Sequence, residues 1–168
     1  MAGRIPRTLW THRMKIEGPL TGIEVPCERI LRTLPKWFGD EDSLLAYARA
    51  TSHQPSFVVS SEGRAVGFLS LQAHFPGSWE VTCIAVDAEH RGQGLGKRLH
   101  EHAEQWLVSQ GASLLQVKTL AASHPSTAYA QTRAFYCALG YQPVEVFPTL
   151  WAAHLPVLQL IKALPGAV

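Results

Sequence analysis

The stretch Ile84-Ala85-Val86-Asp87-Ala88-Glu89-His90-Arg91-Gly92-Gln93-Gly94-Leu95-Gly96-Lys97-Arg98 decides the fold. An apolar strand enters a turn with three glycines, and from Leu95 the apolar positions Leu99, Ala103, Trp106 and Leu107 recur on one face of a long helix. Such a turn suits an anion. Glycines let the backbone approach a phosphate closely, several N–H groups point the same way, and the helix start adds a partial positive charge. Arg91, Lys97 and Arg98 bring full charges nearby. Two other phosphate-binding patterns do not fit: a dinucleotide-binding turn needs glycine where Lys97 stands, and a Walker loop needs glycine at Arg91 and Ser or Thr at Arg98. Taken alone, the glycines are equally consistent with a tight turn and no ligand.

Working outward, the long helix closes at Gly111, and Leu114 to Thr119 reads as the next strand. Ser126 to Leu139 follows as a helix capped by Gly140, and strands near Val144 to Phe147 and Val157 to Ile161 end the pattern. In the other direction, Trp79 to Val86 is a strand, preceded by a hairpin of Ser56 to Ser60 and Ala65 to Leu71 around residues 61–64. Before it, Glu28 to Leu34 and the stretch from Asp40 to about His53 carry helical spacing, and Met14 opens a short apolar stretch. This order predicts an α+β fold, a three-layer arrangement with a mixed, mainly antiparallel central sheet and helices on both faces. Residues 1–13 have no periodicity and read as a loose extension to a single domain over 14–168.

With 168 residues, 46% hydrophobic and 17% charged, the chain can bury a core and does not read as disordered. A net charge of +2 is too weak a field to argue for nucleic acid. No apolar run is long enough to span a bilayer or serve as a signal segment, so no membrane partner is expected. Cys27, Cys83 and Cys137 are scattered and odd in number, which suits a reducing, cytoplasmic setting.

A second motif joins the glycine turn. Tyr129-Ala130-Gln131-Thr132-Arg133-Ala134-Phe135-Tyr136 continues through three residues to Gly140-Tyr141. Together with Arg91-x-x-Gly94-x-Gly96 it resembles the two signatures of the GNAT N-acetyltransferase superfamily, over about Ser56 to Tyr141 closely and residues 14–163 more loosely. The resemblance implies a sheet splayed between the strands around Ile84 and Val117, with acetyl-CoA as acyl donor. Ile84, Ala85 and Val86 would pair with pantetheine through their backbone. The amides of Arg91, Gly92, Gln93, Gly94, Leu95, Gly96 and Lys97 would hold the pyrophosphate. Tyr136 matches the general acid that protonates the departing thiolate, and Glu80 the general base of lysine-directed members. Acyl transfer needs a neutral amine, and taking a lysine-like amine to its free base at pH 7 costs roughly 4 to 5 kcal/mol, so a base is called for. Period-two alternation places Glu80 on a face with Thr82, Ile84 and Val86.

The implied activity is acetyl transfer to a primary amine of a small molecule or a protein lysine, by direct attack. The alternative is an acyl-CoA-binding or sensing module without catalysis. Members that acetylate protein N-termini often carry glutamate where Gln116 stands and asparagine where Tyr129 stands, and both are absent here. The long connection from Thr119 to Thr127 offers Lys118 and His124 as edges of an acceptor pocket. His100 and His102 point about 200° apart on a helix and do not share an ion, so no metal is assigned. Cys83, in a core strand, reads as packing before nucleophile. The run from Phe147 to Ile161 has three candidate roles: core, cover over the acceptor site, or homodimer contact, with core the default.

Overall fold

A computed structural model of the chain describes residues 14–165. The extension expected over residues 1–13 lies outside the described residues. Seven strands form one sheet: β1 (Met14–Leu20), β2 (Ser56–Ser61), β3 (Arg64–Phe75), β4 (Ser78–Val86), β5 (Leu114–Leu120), β6 (Gln142–Ala152) and β7 (Leu155–Ala163). Their order is β1-β2-β3-β4-β5-β7-β6, and every neighbouring pair is antiparallel except β4 with β5. The helices are α1 (Glu24–Arg32), α2 (Glu41–Ala50), α3 (Leu95–Ser109) and α4 (Thr127–Ala138). The mixed, mainly antiparallel sheet with helices on both faces is the architecture expected. Among the described residues no helix is long and apolar enough to cross a membrane.

Two apolar layers follow from the alternation of the strands. Leu95, Leu99, Ala103 and Leu107 of α3 pack with Val59, Leu69, Leu71, Leu115 and Val117, and Tyr136 of α4 joins them. On the opposite face Cys27, Ile30 and Leu31 of α1 and Leu44 and Ala48 of α2 cover Val58, Phe68, Cys83 and Ala85. The acidic start expected for α2 is realised as a cap, Asp40 Oδ2 accepting the Ser43 N–H at 2.8 Å. Arg32 ties α1 to α2, donating to Glu28 and Glu41 at 2.7–3.1 Å.

Three boundaries differ from expectation, each for a physical reason. Helix α1 begins at Glu24, four residues early, because Pro26 sits in the first turn, where amides have no intrahelical partner to lose. The apolar stretch after Met14 is a full strand, β1, whose register against β2 shifts between Glu17 and Leu20 around Gly18 and Pro19. Strand β6 extends from Gln142 to Ala152, well beyond residues 144–147. It is an edge strand, exposed along almost its whole length, so it tolerates Pro143 and Pro148 and shows no alternation to read.

A fourth difference concerns the functional strand. Leu71 pairs with Val81 while Ser70 pairs with Cys83, so Thr82 is an extra residue, a β-bulge in β4. Period two breaks there. Val81, Ile84 and Val86 pack toward α3, whereas Cys83 and Ala85 face α1 and α2. Glu80, next to Val81 and before the bulge, therefore does not share the face of Ile84 and Val86. Thr82 is held at the bulge by donating to Gln54 Oε1 at 2.7 Å.

Candidate functional site

Strands β4 and β5 pair only through Ser78–Leu114, Trp79–Leu115 and Glu80–Gln116. Beyond Glu80 they part, since β4 keeps only β3 as a neighbour and β5 only β7. The β5-facing backbone groups of β4 are left without a ladder partner there, which is a cost unless something pairs with them. A cavity of about 390 Å³ occupies the opening, within the range of small-molecule sites.

The glycine turn forms one wall. Gly94 is the N-cap of α3 with φ 77° and ψ 13°, the left-handed region that side chains resist. The first bond into the helix runs from the Arg98 N–H to the Gly94 carbonyl at 3.2 Å, leaving the amides of Leu95, Gly96 and Lys97 ahead of it. Gly96 is closely packed: a Cβ there would sit 3.4 Å from the Phe135 ring, leaving little room for a larger side chain. Arg91, Gly92, Gly94, Leu95, Gly96 and Lys97 line the cavity, and Gln93 does not. Ile84, Ala85 and Val86 line it from β4.

Tyr136 also lines the cavity. Only 5% exposed, it makes edge contacts with Phe135 and Tyr141 at 5.4 and 5.3 Å, and its hydroxyl bonds to no other described residue. Burial pushes its pKa well above the ordinary tyrosine value, so it keeps its proton. Behind it, Tyr141 is hydrogen-bonded to His100 at 2.7 Å, fixing the packing. Glu80 lies at the point where the strands part but outside the cavity lining. Lys118 Nζ donates to both its oxygens at 3.0 and 3.1 Å, and His74 Nε2 contacts Oε2 at 2.5 Å. Lys118 itself reaches the cavity.

Several lining residues were not singled out in the sequence, Trp151 being named there only within a longer run whose default was core. Trp37 and Phe38 sit between α1 and α2, Tyr47 is on α2, and Trp151 comes from β6. Trp37 donates its indole N–H to Thr132 Oγ1 at 3.1 Å and receives the Arg91 guanidinium over its ring at 4.1 Å, joining the glycine turn to α4. Tyr129 donates to the Trp37 carbonyl at 2.9 Å. Thr119, buried at 3% exposure, lines the cavity with a hydroxyl that has no partner among the described residues. His124, by contrast, accepts the Ser126 N–H in its own turn. Gln116 accepts from Gln159 at 2.7 Å. Trp151 gives the C-terminal run its role at the cavity, while Val157 and Leu160 of β7 are core.

The family is now legible. A profile of the acetyltransferase (GNAT) family matches residues 25–140, more than half of the chain. The chain belongs to the GNAT acetyltransferase family. Solved structures share the fold at low identity. A GNAT-family protein from Desulfovibrio desulfuricans superposes with a TM-score of 0.76 at 16% identity, over 89% of this chain and 98% of that one. The ribosomal-protein-S18-alanine N-acetyltransferase from Escherichia coli gives 0.73 at 20%, over 92% and 96%. A GNAT acetyltransferase from Elizabethkingia anophelis with acetyl-CoA bound gives 0.69 at 14%, over 90% and 99%. No curated protein matches the sequence.

Two further groups bear on GNAT chemistry. Cys83 lines the cavity, but burial raises its thiol pKa far above the ordinary range, so it stays protonated and inert. Among the described residues no three His, Cys, Asp or Glu side chains could hold a metal ion. His100 is buried and neutral, its pKa pushed down to about 4 by desolvation, and His102 bonds to the Arg98 carbonyl instead. The His100 Nδ1 makes no hydrogen bond, although Glu104 Oε2 is 3.3 Å away. An unfolded histidine takes up its proton near 6.5, whereas this one does not until about 4. Its contribution to stability is complete above about pH 6.5 and is lost as pH falls toward 4. His100→Gln should therefore show a shallower decline of melting temperature across that window than the parent protein.

Proposed function

We propose that the protein moves an acetyl group from acetyl-CoA to the nitrogen of a primary amine by direct attack in a complex of both substrates. One observation carries this reading: the unpaired β4 edge, the glycine-capped start of α3 and the Tyr136 ring all open into the same cavity. The amides of Leu95, Gly96 and Lys97 and the partial positive charge of α3 suit a pyrophosphate. The backbone of Ile84, Ala85 and Val86 suits the amides of the pantetheine arm, as one more strand laid against β4.

The amine nitrogen attacks the thioester carbon, the C–S bond breaks, and the Tyr136 hydroxyl gives its proton to the departing thiolate. Glu80 takes the proton that the amine sheds, and because it lies outside the cavity lining a water carries that proton between them. Cys83, protonated and buried, supports attack by the amine itself over a route through an acyl-cysteine. The three unpaired cysteines keep a cytoplasmic setting within the proposal.

Titration calorimetry with coenzyme A tests the cavity. The parent protein should bind, and Gly96→Val should weaken binding at least about tenfold, since its methyls meet Phe135 at the helix start. Gln93→Ala, outside the lining, should bind as the parent does. Equal affinity for Gly96→Val would move the pyrophosphate elsewhere. Release of free thiol on adding an amine separates an enzyme from a binding or sensing module, which would bind coenzyme A and release none.

A further inference from the structure

Resting on the reading of the cavity as an acetyl-transfer site, we propose that the acceptor is a small primary monoamine on an aromatic or otherwise apolar body, and that polycationic amines are excluded. Among the described residues no aspartate or glutamate lines the cavity, while Arg91 and Lys97 stand at the glycine turn proposed for the pyrophosphate and Lys118 is paired with Glu80, so no free carboxylate is left for a second cation. A second ammonium entering such a site gives up its hydration and finds no carboxylate in return. The one acid at the apex, Glu80, is already compensated by Lys118 on both oxygens and contacted by His74.

What the wall offers instead is aromatic surface. Phe38 and Tyr47 meet edge to face at 5.7 Å and 84°, and Trp37, Tyr129 and Trp151 extend the lining. The polar ends of two of these rings are committed within the protein: the Trp37 indole to Thr132 and the Tyr129 hydroxyl to the Trp37 carbonyl. Their apolar bodies are what they leave for a ligand. The Trp37 face that could hold a cation already carries the Arg91 guanidinium, so a further positive charge is repelled there. An apolar body gains from leaving water, and only the reacting amine needs a polar partner.

Thiol release under saturating acetyl-CoA, with 2-phenylethylamine, spermidine, kanamycin and a lysine-containing peptide as acceptors, tests this. The ratio kcat/KM for 2-phenylethylamine should exceed that of the other three at least about tenfold. A polyamine, aminoglycoside or peptide that outperforms it overturns the proposal. Calorimetry of the same amines against the protein saturated with coenzyme A reads the pocket without turnover. If no amine is acetylated, tighter binding of 2-phenylethylamine still supports the pocket's preference while refuting the enzymatic reading, and tighter binding of spermidine or kanamycin overturns the preference. Trp151→Glu places a carboxylate in the wall at a residue 42% exposed, where folding tolerates it. It should shift the ratio of spermidine to 2-phenylethylamine upward about tenfold, and an unmoved ratio counts against the assignment of this wall to the acceptor.

Discussion

Tyr136→Phe should lower kcat at least about tenfold and leave acetyl-CoA affinity nearly unchanged, because the substitution removes one hydroxyl from a ring held by its neighbours. Phe135 and Tyr141 pack against the ring at 5.4 and 5.3 Å, and phenylalanine keeps both contacts. No protein hydrogen bond is lost, since the hydroxyl bonds to no other described residue. Any loss of rate therefore belongs to chemistry, not to folding. Burial raises the Tyr136 pKa, so the hydroxyl carries its proton at neutral pH. General acid catalysis contributes typically about 10² to 10⁴-fold, so tenfold is the lower bound. Thiol release measures kcat, and calorimetry measures affinity. Unchanged turnover would remove Tyr136 as the acid.

Glu80→Gln gives the second large effect, and its signature is the pH profile. The rate should drop about 10²-fold near pH 6 and recover toward the parent as pH approaches the amine's own pKa near 10.4. At low pH the acceptor is charged and a base must take its proton, whereas at high pH it arrives neutral. The substitution also breaks the ion pair with Lys118, whose side chain is 26% exposed against 11% for Glu80. Lys118→Gln breaks the same pair while keeping the carboxylate, so it isolates the structural share. Parallel pH profiles for the parent and Glu80→Gln would count against Glu80 as base, whatever the loss of stability.

Much of the fold was legible because the elements around the glycine turn have strong periodic signals. The face of α3 is written in Leu95, Leu99, Ala103 and Leu107, all buried. The hairpin of β2 and β3 closes at Glu62 and Gly63, both with positive φ, where the sequence places its turn residues. The edge strands were less legible. Strand β6 is exposed along almost its whole length, and β1 alternates only over residues 14–17 before Gly18 and Pro19 interrupt it, so period two had little to report. The bulge at Thr82 was invisible as well, because an extra residue in one strand is defined only by its partner. That hidden residue moved Glu80 off the face of Ile84 and Val86.

The proposed donor side of the site had a local signal in the sequence, and the proposed acceptor side had none. The proposed phosphate contacts use backbone amides, and Gly94 and Gly96 stand two residues apart at the start of a helix. Local chemistry leaves local patterns. The proposed acceptor wall is assembled from Trp37, Phe38, Tyr47, Tyr129 and Trp151, which span more than a hundred positions and meet only because α1, α2, α4 and β6 converge on the opening between β4 and β5. Nothing at any one of those positions distinguishes a ring in a core from a ring in a wall. The pairing of Glu80 with Lys118, 38 residues away, is likewise a product of parallel strand register. The chain's own order of residues thus determined the glycine turn and helix start proposed to hold a diphosphate, since those depend on backbone freedom and helix polarity. Which groups line the opening between β4 and β5 was decided by the packed sheet and helices, since burial and charge compensation exist only once distant segments are in contact.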